Sequence, residues 1–161
     1  MEWRPGELVE ILTENTFLEE GYVIGGKKTE NGYMRTVPIH PSIKNIIRSY
    51  YDLAKELNSP YLFNDPYISR HSTTAKHLSY SNYRYRFSKA MAHLGLDSHT
   101  PHDSRTTFAT IAKTSGIDAF AIKKIMGHST KNDVTEDCYI DPDFQWYVEQ
   151  MGKFNYDGEK E

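Results

Sequence analysis

The chain has 161 residues, of which 38% are hydrophobic, 25% charged and 13% aromatic, enough to bury one core and too apolar for a disordered polymer. A mean hydropathy of -0.68 with no long apolar run excludes a transmembrane helix, and no secretory signal pattern is present. The single cysteine, Cys138, excludes an internal disulfide framework, and 19 basic against 22 acidic residues argue mildly against bulk-charge binding of nucleic acid while leaving room for a local basic face.

Pro5 suits the first position of a helix, and Leu8, Ile11 and Leu12 supply a short apolar stripe behind it. With Trp3 and Arg4 already at this helix start, the chain opens in mid-pattern and reads as a fragment whose natural N-terminal portion is missing. A short strand is predicted at Phe17 and Leu18. The β-prone runs 22–26 and 34–39 flank an Asn31-Gly32 turn and predict a hairpin carrying Lys27 and Lys28. Pro41 opens a helix to about residue 57, with Ile43, Ile46, Ile47, Tyr50, Tyr51 and Leu53 on one face. Residues 61–63 read as a short buried segment and 64–78 as a polar loop.

Residues 79–94 predict a helix with Tyr83, Phe87, Ala90, Met91 and Leu94 facing inward, ended by Gly95. Pro101 starts another, carrying Phe108, Ile111 and Ala112 and stopped by Gly116. Asp118 caps a short helix with Ala121, Ile122, Ile125 and Met126, closed by Gly127. Residues 133–139 read as a helix or turn, and 143–151 as a last helix with Phe144, Tyr147 and Val148. The fold class is α+β and mainly helical, with helices packed around a small antiparallel hairpin sheet. One domain is expected over 1–152, followed by a polar tail over 153–161.

Several side chains have chemistry to offer. His102 and Arg105 lie three apart, hence on one helix face, where an imidazole and a guanidinium can grip a phosphate and move a proton. Alone, the pair is as compatible with two neighbouring surface groups. His128 follows Gly127, which lets the backbone turn so that the imidazole projects past the helix end; interaction with the helix dipole is the bland alternative. Arg4 and Glu7 fit a surface ion pair one turn apart, and the hairpin lysines fit a solubilised edge. Tyr139, one of 12 tyrosines, carries no local mark of a nucleophile.

In this order the segments resemble the catalytic domain of the tyrosine recombinases, the phage integrase family. Arg4-Pro5-Gly6-Glu7-Leu8 resembles the first-arginine motif R-x-x-E-L of that family. Gly26-Lys27-Lys28-Thr29 with Arg35-Thr36-Val37-Pro38-Ile39 resembles its lysine-bearing hairpin. His102-Asp103-Ser104-Arg105 resembles its H-x-x-R box, Met126-Gly127-His128 its L-G-H box, and Val134 to Tyr139 the segment ending in its nucleophile.

The resemblance implies that Arg4 and Arg105 clamp a scissile phosphate, that His102 hydrogen-bonds it and assists proton transfer with the nucleophile, and that His128 stabilises the transition state by hydrogen bonding. Lys28, or Lys27 if the hairpin register differs, would protonate the leaving oxygen, and Tyr139 would form a 3′-phosphotyrosine link. Lys27, Arg35, Arg84 and Arg86 would contact double-stranded DNA. It further implies site-specific recombination without metal or cofactor, in the cytoplasm and associated with the nucleoid. The working form would be a homotetramer on DNA, with the fragment monomeric and not fully active alone and the N-terminal DNA-binding domain absent. The gap from His128 to Tyr139 is slightly longer than the family pattern, with residues 131–133 as the insertion. Loss of Arg105 is expected to remove chemistry while changing stability little. A rival reading takes residues 106–128 as a non-catalytic helix-turn-helix. A zinc site from His99, His102 and His128 is weaker, since no fourth ligand is well placed.

Overall fold

The computed structural model describes residues 3–26, 33–65, 76–128 and 142–155. In chain order these form α1 (Pro5–Leu8), a 3-10 turn (Thr13–Asn15), β1 (Thr16–Phe17), β2 (Tyr22–Gly25), β3 (Arg35–Pro38) and α2 (Pro41–Glu56). There follow β4 (Asn64–Asp65), β5 (Lys76–His77), α3 (Tyr80–His93), α4 (Asp103–Thr114), α5 (Ala119–Met126) and α6 (Phe144–Gly152). Predicted structure over 27–32 and 133–139 lies outside the described residues.

Local chemistry accounts for most boundaries. Proline occupies the first turn of α1 and α2, where its missing N–H costs nothing. Ser79 Oγ accepts from Asn82 N at 3.2 Å, Asp118 Oδ1 from Phe120 N at 2.8 Å, and Asp143 Oδ1 from Trp146 N at 2.9 Å, satisfying N–H groups that have no partner inside their helices. The helix predicted at Pro5 is a single turn. Beyond it the chain becomes extended: Leu62 N donates to Ile11 O at 2.9 Å and Thr13 N to Pro60 O at 2.8 Å, a pairing that buries both Ile11 and Leu62.

β1, β2 and β3 form an antiparallel sheet in that order, with Val23 opposite Val37 and Gly25 opposite Arg35. Strand alternation turns Arg35 and Val37 inward and leaves Thr36 exposed. Val23 and Val37 join Trp3, Ile11, Phe108, Ala112, Ala121, Ile125 and Met151 in one core. β3 packs on α5 and α6, and α4 packs on α5. The segment expected to be loop contains a second two-stranded sheet, β4 with β5. Its residues are polar and carry no hydrophobic alternation, so no strand pattern marked them.

The apolar faces are wetter than their spacing suggests. In α2, Ile47 and Ala54 are buried, but Ile46 is 55% exposed. No residue of α3 is buried, and Leu94 at its end is 63% exposed. Phe87 and Met91 instead line an open groove of about 840 Å³ with Ile43, Ile46, Phe108 and Phe154. Phe154, assigned by composition to the polar tail, stacks on Phe108 with ring centroids 5.1 Å apart.

Candidate active site

The C-terminus of α5 is the anchor of the site. Gly127 adopts φ 66°, a left-handed conformation that glycine takes without a Cβ penalty. Its N–H donates to Lys124 O at 3.0 Å, and His128 N donates to Lys123 O at 2.9 Å. This is a Schellman closure. It leaves the carbonyls of Ile125 and Met126 without intrahelical partners. Two guanidiniums take them: Arg35 Nε donates to Ile125 O at 3.0 Å, and an Arg105 NH2 group to Met126 O at 2.8 Å. Both charges sit at the negative end of the helix dipole, where cations are stabilised.

Arg105 therefore does two things from α4. It is only 3% exposed, held by the end of α5, and its guanidinium lies 3.3 Å from His128 Nε2. A guanidinium has no acceptor, so Nε2 accepts and the neutral ring carries its proton on Nδ1. Partial burial of the ring, then the charges of Arg105, Arg4 and Arg35, hold the His128 pKa below 6.5. Three guanidiniums from distant parts of the chain thus act on one imidazole.

Arg4 enters from the start of α1. Its backbone N–H donates to Glu7 Oε2 at 3.1 Å and its guanidinium to Glu7 Oε1 at 3.1 Å. Glu7 is not the surface partner its spacing suggested: it is 5% exposed and also accepts from Arg35 at 2.9 Å. Burial pushes the Glu7 carboxyl up, but the hydrogen bond and charge of Arg35 and the hydrogen bonds from Arg4 outweigh it and hold the pKa below 4.5. Trp3 backs this pair, with the Arg35 guanidinium 4.2 Å from its ring centre.

Arg105 thus contacts His128, and Arg4 is tied to the same α5 end through Glu7 and Arg35. His102 is the exposed N-cap residue of α4, one turn before Arg105. Lys27, Lys28 and Tyr139 lie outside the described residues. Arg84 is exposed on α3, and Arg86 is paired with Asp65. Arg35 corrects the expectation of a DNA-contacting side chain: it is 8% exposed and bonded to Glu7 and Ile125. Its one sequence signal is the strand parity it shares with Val37 and Ile39, which marks the inner face once the strand is paired. Glu7 was noticed, but burial is not a property of its spacing. Among the described residues no three His, Cys, Asp or Glu side chains gather as a metal site, and no helix is long and apolar enough to cross a membrane.

The fold and this cluster define a class. The chain belongs to the phage integrase family, whose model matches residues 2–145. It is similar to the tyrosine recombinase XerA of Pyrococcus horikoshii, 30% identical over 128 residues, and to that of Thermococcus kodakarensis, 28% identical over 128 residues. Each match covers 78% of this chain and 42% of the relative, so the chain spans less than half the length of these proteins. Among solved structures, the crystal structure of XerA recombinase matches with a TM-score of 0.65 and 22% identity, covering 91% of this chain and 51% of that one. The integrase from mycobacterium phage Brujita matches with a TM-score of 0.62 and 18% identity, covering 95% and 47%. At these identities the structural likeness establishes the fold: mostly helical with a small antiparallel sheet.

Proposed function

We propose that this chain is the strand-cleaving and strand-joining part of a site-specific DNA recombinase. The observation that carries the proposal is the approach of Arg105 to His128 at 3.3 Å with the Arg4 charge acting on the same imidazole. A phosphodiester passing through a five-coordinate state spreads negative charge over its equatorial oxygens. Arg4 and Arg105 supply fixed positive charge for those oxygens, and His128 Nδ1–H and His102 supply hydrogen bonds. The Tyr139 hydroxyl oxygen attacks phosphorus and passes its proton to His102. The bond to the 5′ oxygen breaks, and Lys28, with Lys27 as the alternative, gives that oxygen a proton. The product is a 3′-phosphotyrosine, and reversal with a second 5′ hydroxyl rejoins DNA without an external energy source, because one phosphodiester is exchanged for another. Double-stranded DNA is the substrate, contacted also by Lys27, Arg84 and Arg86. The working assembly is a homotetramer in the cytoplasm at the nucleoid, with the chain monomeric by itself.

The helix-turn-helix alternative is less well supported. Phe108, Ala112, Ile117, Ala121 and Ile125 bury the α4–α5 pair in the main core, and Arg105 is turned toward the α5 end and His128.

The test is capture of protein linked to DNA after denaturation in detergent, using nicked duplexes of randomised sequence. Wild type should yield adducts whose nucleotide-bearing peptide contains Tyr139. Tyr139→Phe should abolish them and leave salt-sensitive DNA binding unchanged. Adducts that persist in Tyr139→Phe would place the nucleophile elsewhere, and binding without adducts in wild type would favour the non-catalytic alternative.

A further inference from the structure

We propose that Arg35 is a positioning residue of the phosphate-binding cluster, fixing Arg4 through Glu7 and His128 through the Ile125 carbonyl. The inference rests on the phosphodiester reading of the site and assigns no contact between Arg35 and DNA. Arg35 stands on β3 with its side chain on the core face, between two parts of the site that are far apart in sequence. One guanidinium nitrogen bonds Glu7 Oε2 at 2.9 Å; Nε bonds Ile125 O at 3.0 Å. Glu7 in turn holds both the backbone and the guanidinium of Arg4. Ile125 is the penultimate residue of α5, two before the Gly127 turn that presents His128. One planar group thus sets the distance between the α1 start and the α5 end.

The shape of the guanidinium matters more than its charge. Its donors leave a rigid plane in fixed directions, so two bonds and the face against Trp3 determine its position completely. A lysine ammonium at the same place would keep the charge, but it has no plane to lie on Trp3 and no second nitrogen to divide between a carboxylate and a carbonyl. Because Glu7 and Arg35 are both buried, displacement of one is transmitted to the other and not absorbed by solvent.

The test is charge-conserving. The chain is labelled with nitrogen-15 and titrated with inorganic phosphate, while the His128 amide and ring signals and the arginine Nε–H signals are followed by NMR. Wild type should show saturable shifts of His128 and Arg105. Arg35→Lys should weaken phosphate by about tenfold, the loss expected when one charge-assisted hydrogen bond is misaligned, and should displace the His128 signals before phosphate is added. A surface control, Arg48→Lys, should match wild type, since Arg48 pairs with Glu19 at the exterior. If Arg35 only supports the fold, Arg35→Lys lowers the unfolding midpoint but leaves phosphate affinity and His128 unmoved, and the proposal is overturned.

Should Arg35→Lys fail to fold, Glu7→Gln decides. Removing a negative charge beside an anion site tightens phosphate by simple electrostatics, whereas release of Arg4 weakens it; weaker binding supports positioning, and tighter binding overturns it. A wild-type chain indifferent to phosphate defeats the phosphodiester reading itself, and this proposal with it. Equal affinities in wild type and Arg35→Lys defeat only the role of Arg35.

Discussion

Replacing Arg105 by alanine should cost both stability and chemistry, contrary to the expectation from the motif alone. At 3% exposure the side chain is interior, and its loss leaves the Met126 carbonyl without the donor that now stands 2.8 Å away. An unsatisfied buried acceptor costs about 1–3 kcal/mol. The vacated stem adds a packing term, and relief of a buried charge offsets part of it, so a net loss of about 2–4 kcal/mol is expected. For a chain of this size that corresponds to roughly 4–16 °C in unfolding midpoint. The assay is thermal and urea unfolding of wild type and variant in one buffer at neutral pH, followed by circular dichroism. A parallel NMR titration of His128 should show its midpoint moving up toward 6.5, because one of the charges that depress it has gone. A variant as stable as wild type, with an unmoved His128 titration, would refute the placement of Arg105 between the α5 end and the imidazole.

Other consequences follow from the same network. Glu7→Ala strands the buried Arg35 charge and should cost about 3–5 kcal/mol in urea unfolding, and a loss below about 1 kcal/mol would mean the pair is solvated like a surface bridge. Stability should fall on acidification in two windows. The folded-state pKa of His128 lies below 6.5, so the unfolded chain takes up that proton first and the contribution is lost as pH drops through 6.5 and then the folded value. Glu7, held below 4.5, repeats this at lower pH alongside Glu19 and Asp103, and Glu7→Gln should shrink the loss in that second window in unfolding measured across pH. Gly127→Ala forces a side chain into φ 66° at about 1–2 kcal/mol, and adduct formation should suffer more than the unfolding midpoint because His128 is displaced; an unchanged adduct yield would show that the turn does not govern the imidazole.

Much of this protein was legible from residue order. Capping residues, proline starts and glycine stops placed α2 through α6 to within a few residues, because those signals act over one or two helical turns. The β-prone runs on either side of Asn31-Gly32 marked β2 and β3, and motif order grouped Arg4, Arg105 and His128 as an expected set. Local chemistry could not show which of the charged groups are interior. Arg4-x-x-Glu7 has the same spacing on a wet helix as on a buried one. Arg35 beside a lysine-bearing hairpin looks like a surface cation until its strand is paired. The small β4–β5 sheet escaped because its two strands are polar and are joined only by long-range hydrogen bonds. Likewise, α3 carries an apolar stripe, yet no element covers it among the described residues, so periodicity there specified a helix without specifying burial. Sequence determined the helices, the β2–β3 pair and the inventory of reactive side chains through interactions between near neighbours. Tertiary structure alone decided which cation caps which carbonyl, because α1, β3, α4 and α5 meet only after the chain has closed on its core, and a guanidinium's role depends on what remains unsatisfied where it arrives.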